Sequence, residues 1–384
     1  MRLQVAITEL NERLGSSDPS QVTKYSVSQR FGVIPSSELE NRTMQAKSLE
    51  NYKVVSHENL VLNRFNAYKG ALGLAPDRGV VSPDYFVAQI NERIADPCFI
   101  RYFLLSQSSA DLIKRDMGGM GSGDPDSSAF SRFDVRSLMS MKIPIDDVHT
   151  QRAIADYLDR ETAEIDGMRA DLDEMERLLT ERRTAFIGSA VRQDSSHGEK
   201  VSLQSVASIH AGDTITSSEI TEHGEYRVYG GNGVRGYCDR ANQPEDRVLI
   251  GRQGALCGNV HLARGPFYAS EHALVIEPRI DVCLDWLTFV LQDQKLGQLS
   301  MSAAQPGITA SAVGLQRIEI PPLAEQRRIA DEIDRETAEI DSMLEDITKL
   351  RDLLAERRAA VISAAVTGQI DIPVSPTYKD EPHA

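Results

Sequence analysis

The sequence predicts an α+β protein: two β-rich domains with small helices, separated by two long helices that form an antiparallel coiled coil. Three observations predict it. The stretch QRAIADYLDRETAEID at 151–166 returns as QRRIADEIDRETAEID at 326–341, with 13 of 16 positions identical at an offset of 175 residues. The match continues more weakly at the same offset, from ERRTAFIGSAV at 181–191 to ERRAAVISAAV at 356–366. Ahead of each copy lie short apolar runs broken by Gly and Pro, the pattern of strands and turns. Self-similarity at one fixed offset sets the architecture, and two copies this far apart describe a duplicated domain-plus-helix, not a solenoid.

The helices come first. In the first copy Ile154, Leu158, Ile165, Met168, Leu172, Met175, Leu179 and Phe186 are spaced by fours and threes, with Glu161 and Arg182 filling two of the expected apolar positions. In the second copy Ile329, Ile333, Ile340, Met343, Ile347, Leu350, Leu354 and Val361 fall in the same register. A 3.5-residue spacing sustained over four heptads is a coiled-coil seam. So narrow a stripe needs a partner helix; the repeat favours mutual pairing over two helices packed separately on their own domains, and a roughly two-fold relation of the halves favours the antiparallel sense. Each helix spans about 40 residues, or about 60 Å.

At 384 residues the chain is long enough for two or three domains, and 41% hydrophobic and 26% charged residues are ordinary for a soluble protein. The net charge of −15 is unevenly spread: +1 over 1–145, −6 over 146–194, −3 over 195–317 and −7 over 318–384. The basic balance that marks nucleic-acid binders is absent, so any polyanion has to be met by local patches or with help from a partner chain. Cys98, Cys238, Cys257 and Cys283 form no CxxC, and the eight His form no HxxxH, so no metal site and no cofactor are expected. Free buried thiols suit a reducing compartment. No stretch approaches 18 apolar residues, and the N-terminal residues lack a signal-peptide core, so a cytoplasmic protein without a membrane span is expected.

Taken in order, the first β-rich domain is expected over 1–145, the first long helix over 146–191, the second domain over 192–317, the second long helix over 318–370 and a disordered tail over 371–384. Residues 1–25 read as a short amphipathic segment and a polar linker. KVVSHENLVLNRF reads as strand, turn, strand; 96–114 reads as one helix; MGGMGSGDPDSS at 117–128 reads as a flexible loop. Asp146 and Asp147 sit near the start of the first long helix, where the helix dipole favours acids. In the second half YRVYGGNGVRGYC at 226–238 reads as a hairpin around Gly-Gly-Asn-Gly, and RVLIGRQGALCGNVHLA at 247–263 as a second strand pair around GRQG. ASEHALVIEP is a further strand, 283–296 a helix, and SMSAAQPGI a loop in the place of the first domain's Gly-rich loop.

No nucleophile–base arrangement, metal cluster or Walker A motif is present, and neither Gly-rich stretch is a GxGxxG between a strand and a helix. Tight turns account for those glycines. What the turns hold outward is Asn232, Arg235, Arg252 and Gln253, with Tyr229 and Tyr237 on the hairpin beside them. Arg suits guanine edges and Asn or Gln adenine edges. Asn63, Arg64, Asn66, Tyr68 and Lys69 form a comparable loop in the first half. For any one of these, a solvated surface side chain is the competing reading. Gln151 with Arg152, and Gln326 with Arg327, open the two long helices and read as partner-facing patches.

These residues together resemble a known family. Two β-rich domains, each ending in an I-x-IP or IPxP-like exit, then TQRAIAD or EQRRIAD, then a long helix with ERR near its end, look like the specificity subunit of type I restriction-modification systems. YRVYGGNGVRGY, LIGRQGALCGN and AQPGI are similar to features of that family's target-recognition domains. The first half departs from the pattern, with IPIDDVHTQ against IPPLAEQ. The resemblance implies a non-catalytic subunit in defence against foreign DNA. Each domain would read one half of a split site in double-stranded DNA. The paired helices would space the domains and dock two DNA methyltransferase subunits, with restriction subunits joining the complex. No Asp/Asn-Pro-Pro-Tyr/Phe motif of amino-methyltransferases occurs, which speaks against a self-contained enzyme, and the Gly-turn domains speak against a pure coiled-coil scaffold. The alternative is a specificity-like subunit of another phage-defence DNA methyltransferase system.

Overall fold

The computed structural model describes residues 1–15, 22–39, 49–117, 132–193, 200–254, 256–300 and 306–372. The chain divides into two compact units, one of Met1–Asp171 with Lys349–Ala384 and one of Leu172–Thr348. It passes between them only within the two long helices, Val148–Gln193 and Leu323–Val366, so each helix lends one half to each unit.

Both units are built on one plan. In the first, a four-stranded antiparallel sheet has the order Ile7–Glu9, Tyr85–Ile90, Leu60–Asn63, Leu72–Leu74. In the second the order is Ala207–Ala211, Ala273–Pro278, Arg247–Gly251, Val260–Ala263. Each edge strand is entered from a four-residue helical turn, Leu3–Ala6 or Leu203–Val206. One helix follows each sheet. Pro97–Leu105 is started by Asp96, whose carboxylate accepts from Phe99 N, and by Pro97 in the first turn, where a missing N–H costs nothing. It buries Phe99, Ile100 and Phe103 against Leu60, Leu62 and Phe86. Leu284–Asp293 buries Trp286, Leu287 and Leu291 against Val248, Ile250 and Ile276.

Two expectations are corrected here. Residues 1–15 are not a free amphipathic segment: Ile7–Glu9 is an edge strand of the first sheet, paired with Tyr85–Ile90. Three residues give too little alternation to be read as a strand. The single helix expected over 96–114 is two, Pro97–Leu105 and Gln107–Met117, broken at Ser106, whose backbone is extended. The Gly-rich loop at 117–128, apart from Met117, the residues 301–305, and 373–384 of the expected tail lie outside the described residues.

The long helices pair antiparallel in each unit. In the first, Ile154, Ala155 and Leu158 share a core with Ile362, Ala365 and Val366, and Glu161 meets Arg357 at 3.4 Å and Asp166 meets Arg358 at 3.6 Å. In the second, Ile187 and Val191 share a core with Ile329, Ala330 and Ile333, and Arg183 meets Asp341 at 2.8 Å. The seam departs from strict heptads in two ways. Ile187 and Ile362 are buried where Phe186 and Val361 were expected. A straight helix drifts about 20° per heptad, so after four to five heptads the inward position moves on by roughly one residue. Met175, Met343 and Leu350 are exposed, because away from the globular cores two helices alone cover only a narrow stripe.

Candidate nucleic-acid interface

In the second unit the two Gly-rich turns close against each other, backbone on backbone. The hairpin pairs Tyr226–Gly230 with Gly233–Cys238 and turns through Gly231 and Asn232. A β-carbon at Gly251 would lie 2.0 Å from Gly231 O, and one at Gly231 would lie 2.9 Å from Gln253 O. Glycine at both positions is therefore required by contact. The closure gathers the side chains carried by the turns. Asn259 Nδ2 donates to Asn232 Oδ1 at 2.8 Å, joining the two turns directly. Arg252, half-buried, donates from Nη1 to Glu271 O at 3.4 Å, while Gln253 is exposed with Oε1 3.1 Å from His272 Nδ1. Gln253 also bridges to Gly307 of the AQPGI stretch, and Gly254 N donates to Pro306 O at 3.1 Å.

Arg235 is exposed and folds back across Gly230, where a β-carbon would meet its Cδ at 2.2 Å; the register shift between Val228 and Tyr229 marks a bulge in that hairpin. Tyr229 has to be removed from the candidate contacts. It is 6% exposed, its ring stands edge-on to Phe267 at 5.2 Å, and it belongs to a buried cluster with Leu249 and Val275. Its neighbour Val228 fills a different cluster with Cys238 and Tyr268, so this strand is covered on both faces. Tyr237 is half-buried, and its N–H and C=O pair with Thr221. Below the turn, the ring of His261 lies against Gly233, and burial lowers its pKa.

In the first unit the candidates follow the matching central strand. Asn63 Oδ1 accepts from Phe65 N at 3.0 Å and shapes the turn. Asn66 starts the 3-10 turn Ala67–Lys69, taking Lys69 N on its carbonyl. Tyr68 is half-buried against the core, with Lys69 Nζ 5.4 Å from its ring centroid. Arg64 lies over Phe133 at 5.7 Å and donates from Nη2 to Phe133 O at 3.2 Å. Arg64 and Arg252 occupy the same place in the two units. Each follows the last residue of its central strand, and each takes a backbone N–H on its carbonyl, Phe133 N at 3.1 Å and Ile308 N at 2.9 Å.

Gln151 and Gln326 do not face outward, contrary to the sequence reading. They are 0% and 1% exposed. Gln151 Oε1 accepts from Asp96 N and its Nε2 donates to Ile145 O, both at 2.8 Å. Gln326 Oε1 accepts from Cys283 N and its Nε2 donates to Pro321 O, both at 2.8 Å. One carboxamide thus ties the long helix, the following-sheet helix start and the exit segment together in each unit. Arg152 is half-buried and Arg327 exposed. The pairs QR were visible in sequence, but nothing local signals that a Gln at a polar helix start is buried. His272 and Asn259 were missed outright. Among the described residues no group of three or more His, Cys, Asp or Glu could hold a metal, and no helix is long and apolar enough to cross a membrane.

Each of the two α+β units thus presents a turn cluster at the end of a central strand. Residues 196–350 match the family model of the type I restriction modification DNA specificity domain. The chain is 33% identical over 163 residues to the Type I restriction enzyme EcoprrI specificity subunit of Escherichia coli, covering 41% of this chain and 40% of that protein. It is 36% identical over 135 residues to the StySPI specificity subunit of Salmonella potsdam, covering 33% of this chain and 29% of that one. These matches thus span well under half of those relatives. The fold matches a chain from a structure on complex assembly and conformational transition of the type I R-M system, with TM-score 0.63, 18% identity, and coverage of 96% of this chain and 97% of that one. Over these stretches the chain is similar to type I restriction enzyme specificity subunits.

Proposed function

We propose that this protein is the DNA-sequence-specificity subunit of a type I restriction-modification complex, without catalysis of its own. Each unit reads one half of a bipartite site in double-stranded DNA. The paired helices set the spacer and dock two DNA methyltransferase subunits, with Arg152 and Arg327 as partner contacts, and restriction subunits complete the assembly in the cytoplasm. The observation that carries this reading is the structural duplication: one sheet order twice, with an arginine and its turn at the same strand end each time. A divided target calls for two readers of one design. The deciding experiment is methylation mapping by long-read sequencing with the reconstituted complex, where a bipartite motif is expected and a continuous motif or none would refute the proposal.

Charge adds a prediction. No segment of the chain carries more than a marginal positive charge, and phosphate neutralisation supplies most non-specific affinity. The isolated chain is therefore expected to bind DNA weakly and the complex tightly; tight, salt-sensitive binding by the chain alone would contradict this. The turns add another. Arg252→Ala with Gln253→Ala should weaken recognition of one half-site only, by about 1–3 kcal/mol for a lost bidentate base contact. Equal damage at both half-sites in the mapped motif, or none, would remove these residues as readers.

A further inference from the structure

We infer that three backbone positions, equivalent in the two units, form the base-discriminating element of each: Phe65, Asp84 and Arg132 in the first, Gln253, His272 and Gly307 in the second. This rests on the proposed function and deepens it. The equivalence follows from pairing alone. Asn63 pairs with Tyr85 and Gly251 with Ala273, so Asp84 and His272 stand immediately before the matching strand in each sheet. Phe65 and Gln253 each follow the arginine at the strand end, and Arg132 and Gly307 each precede the residue whose N–H that arginine's carbonyl accepts.

Side chains at these positions engage one another in both units, by different chemistry, while Gly307 meets Gln253 through the backbone. In the first, Arg132 Nη2 donates to Asp84 Oδ1 at 2.6 Å while the guanidinium lies over the Phe65 ring at 5.3 Å. A carboxylate on one side and a ring on the other hold the guanidinium fork in place, and both charged residues remain about half exposed, at 49% each. An arginine fixed in this way suits the O6 and N7 acceptors of guanine. In the second unit His272 bridges, with Nδ1 3.1 Å from Gln253 Oε1 and Nε2 3.4 Å from Glu271 Oε1. That chain orients the Gln253 carboxamide, which suits the N6 and N7 edge of adenine. Main-chain bonds also hold these positions, Phe133 N to Arg64 O in the first unit and Arg252 N to His272 O and Ile308 N to Arg252 O in the second, and these do not depend on which side chains stand there. Asp84 and His272 are positioning residues; Arg132 and Gln253 touch the base.

The test uses the full chain in complex with its methyltransferase subunits, mapping methylated sites in a randomised DNA library. Arg132→Lys keeps the charge but loses the guanidinium fork, and Asp84→Ala frees the arginine. Both should relax one G·C pair in one half-site by about tenfold, the scale of one bidentate contact. His272→Ala should relax one A·T pair in the other half-site, and His272→Gln, which restores a donor toward Gln253, should recover discrimination. All other positions should stay as in the wild type. A wild-type complex with a bipartite motif that none of these variants alters would overturn this inference and leave the proposed function standing. A uniform loss of methylation with unchanged preference in the alanine variants, with Arg132→Lys as active and as selective as the wild type, would also overturn it, as a structural ion pair tolerates lysine. A wild-type complex without a bipartite motif would overturn the proposed function itself.

Discussion

Adding one heptad to each long helix, after Asp173 and after Thr348, is expected to widen the spacer of the DNA site and leave both half-site sequences unchanged. Those places lie beside the two points where the chain passes from one unit to the other, after Asp171 and after Thr348. Seven residues keep the seam, with a drift of about 20°, and lengthen each helix by about 10 Å. At about 3.4 Å per base pair, the spacer should grow by roughly two to four base pairs. Bending a short site costs only about 1–6 kcal/mol, which sets the lower end of that range. Long-read mapping of the methylated motif reads the outcome directly. A functional variant that still methylates the original spacer would show that the helices are not the ruler.

Gln326→Leu is expected to be among the most damaging single changes to stability. It removes a buried carboxamide and leaves both its partners, Cys283 N and Pro321 O, unpaired beside the core. Each group left without a partner costs about 1–3 kcal/mol when buried; both bonds are part-buried, which puts the total in the lower part of the range, about 2–4 kcal/mol. For a unit of this size that is roughly 5–15 °C in Tm. Gln151→Leu should act alike through Asp96 N and Ile145 O. Calorimetry on the two variants measures it; a loss below about 0.5 kcal/mol in both would mean that these bonds do not hold the helices to their sheets.

What was legible in the sequence and what was not follow from how far each signal reaches. The long helices were readable because periodicity accumulates over forty residues, and the antiparallel pairing followed from their likeness. The hairpin was readable because its glycines stand where turns need them. The edge strand Ile7–Glu9 was not, since three residues carry almost no pattern. Tyr229 looked like a surface aromatic because alternation places it opposite Val228, yet both faces of that strand are covered. Gln151 and Gln326 read as partner-facing because one bonding partner of each, Asp96 N and Cys283 N, lies 55 and 43 residues away in sequence. Of the candidate site, the arginine, asparagine and glutamine of the second unit could be proposed by residue type. His272 and Asp84 could be found only once strand register put them beside those residues.

The joint between Gly231 and Gly251 has a consequence for descent. The two turns close through main-chain atoms, with the Asn259–Asn232 hydrogen bond beside them, so the frame makes little demand on Arg252 and Gln253. On the proposed function, drift at Arg252 or Gln253 would rewrite what is read without loosening how the turns are held. A new reading can arise by single substitutions that pass through folded intermediates, and the two glycines are where such freedom ends: any larger residue there would part the turns and erase the old reading with the new.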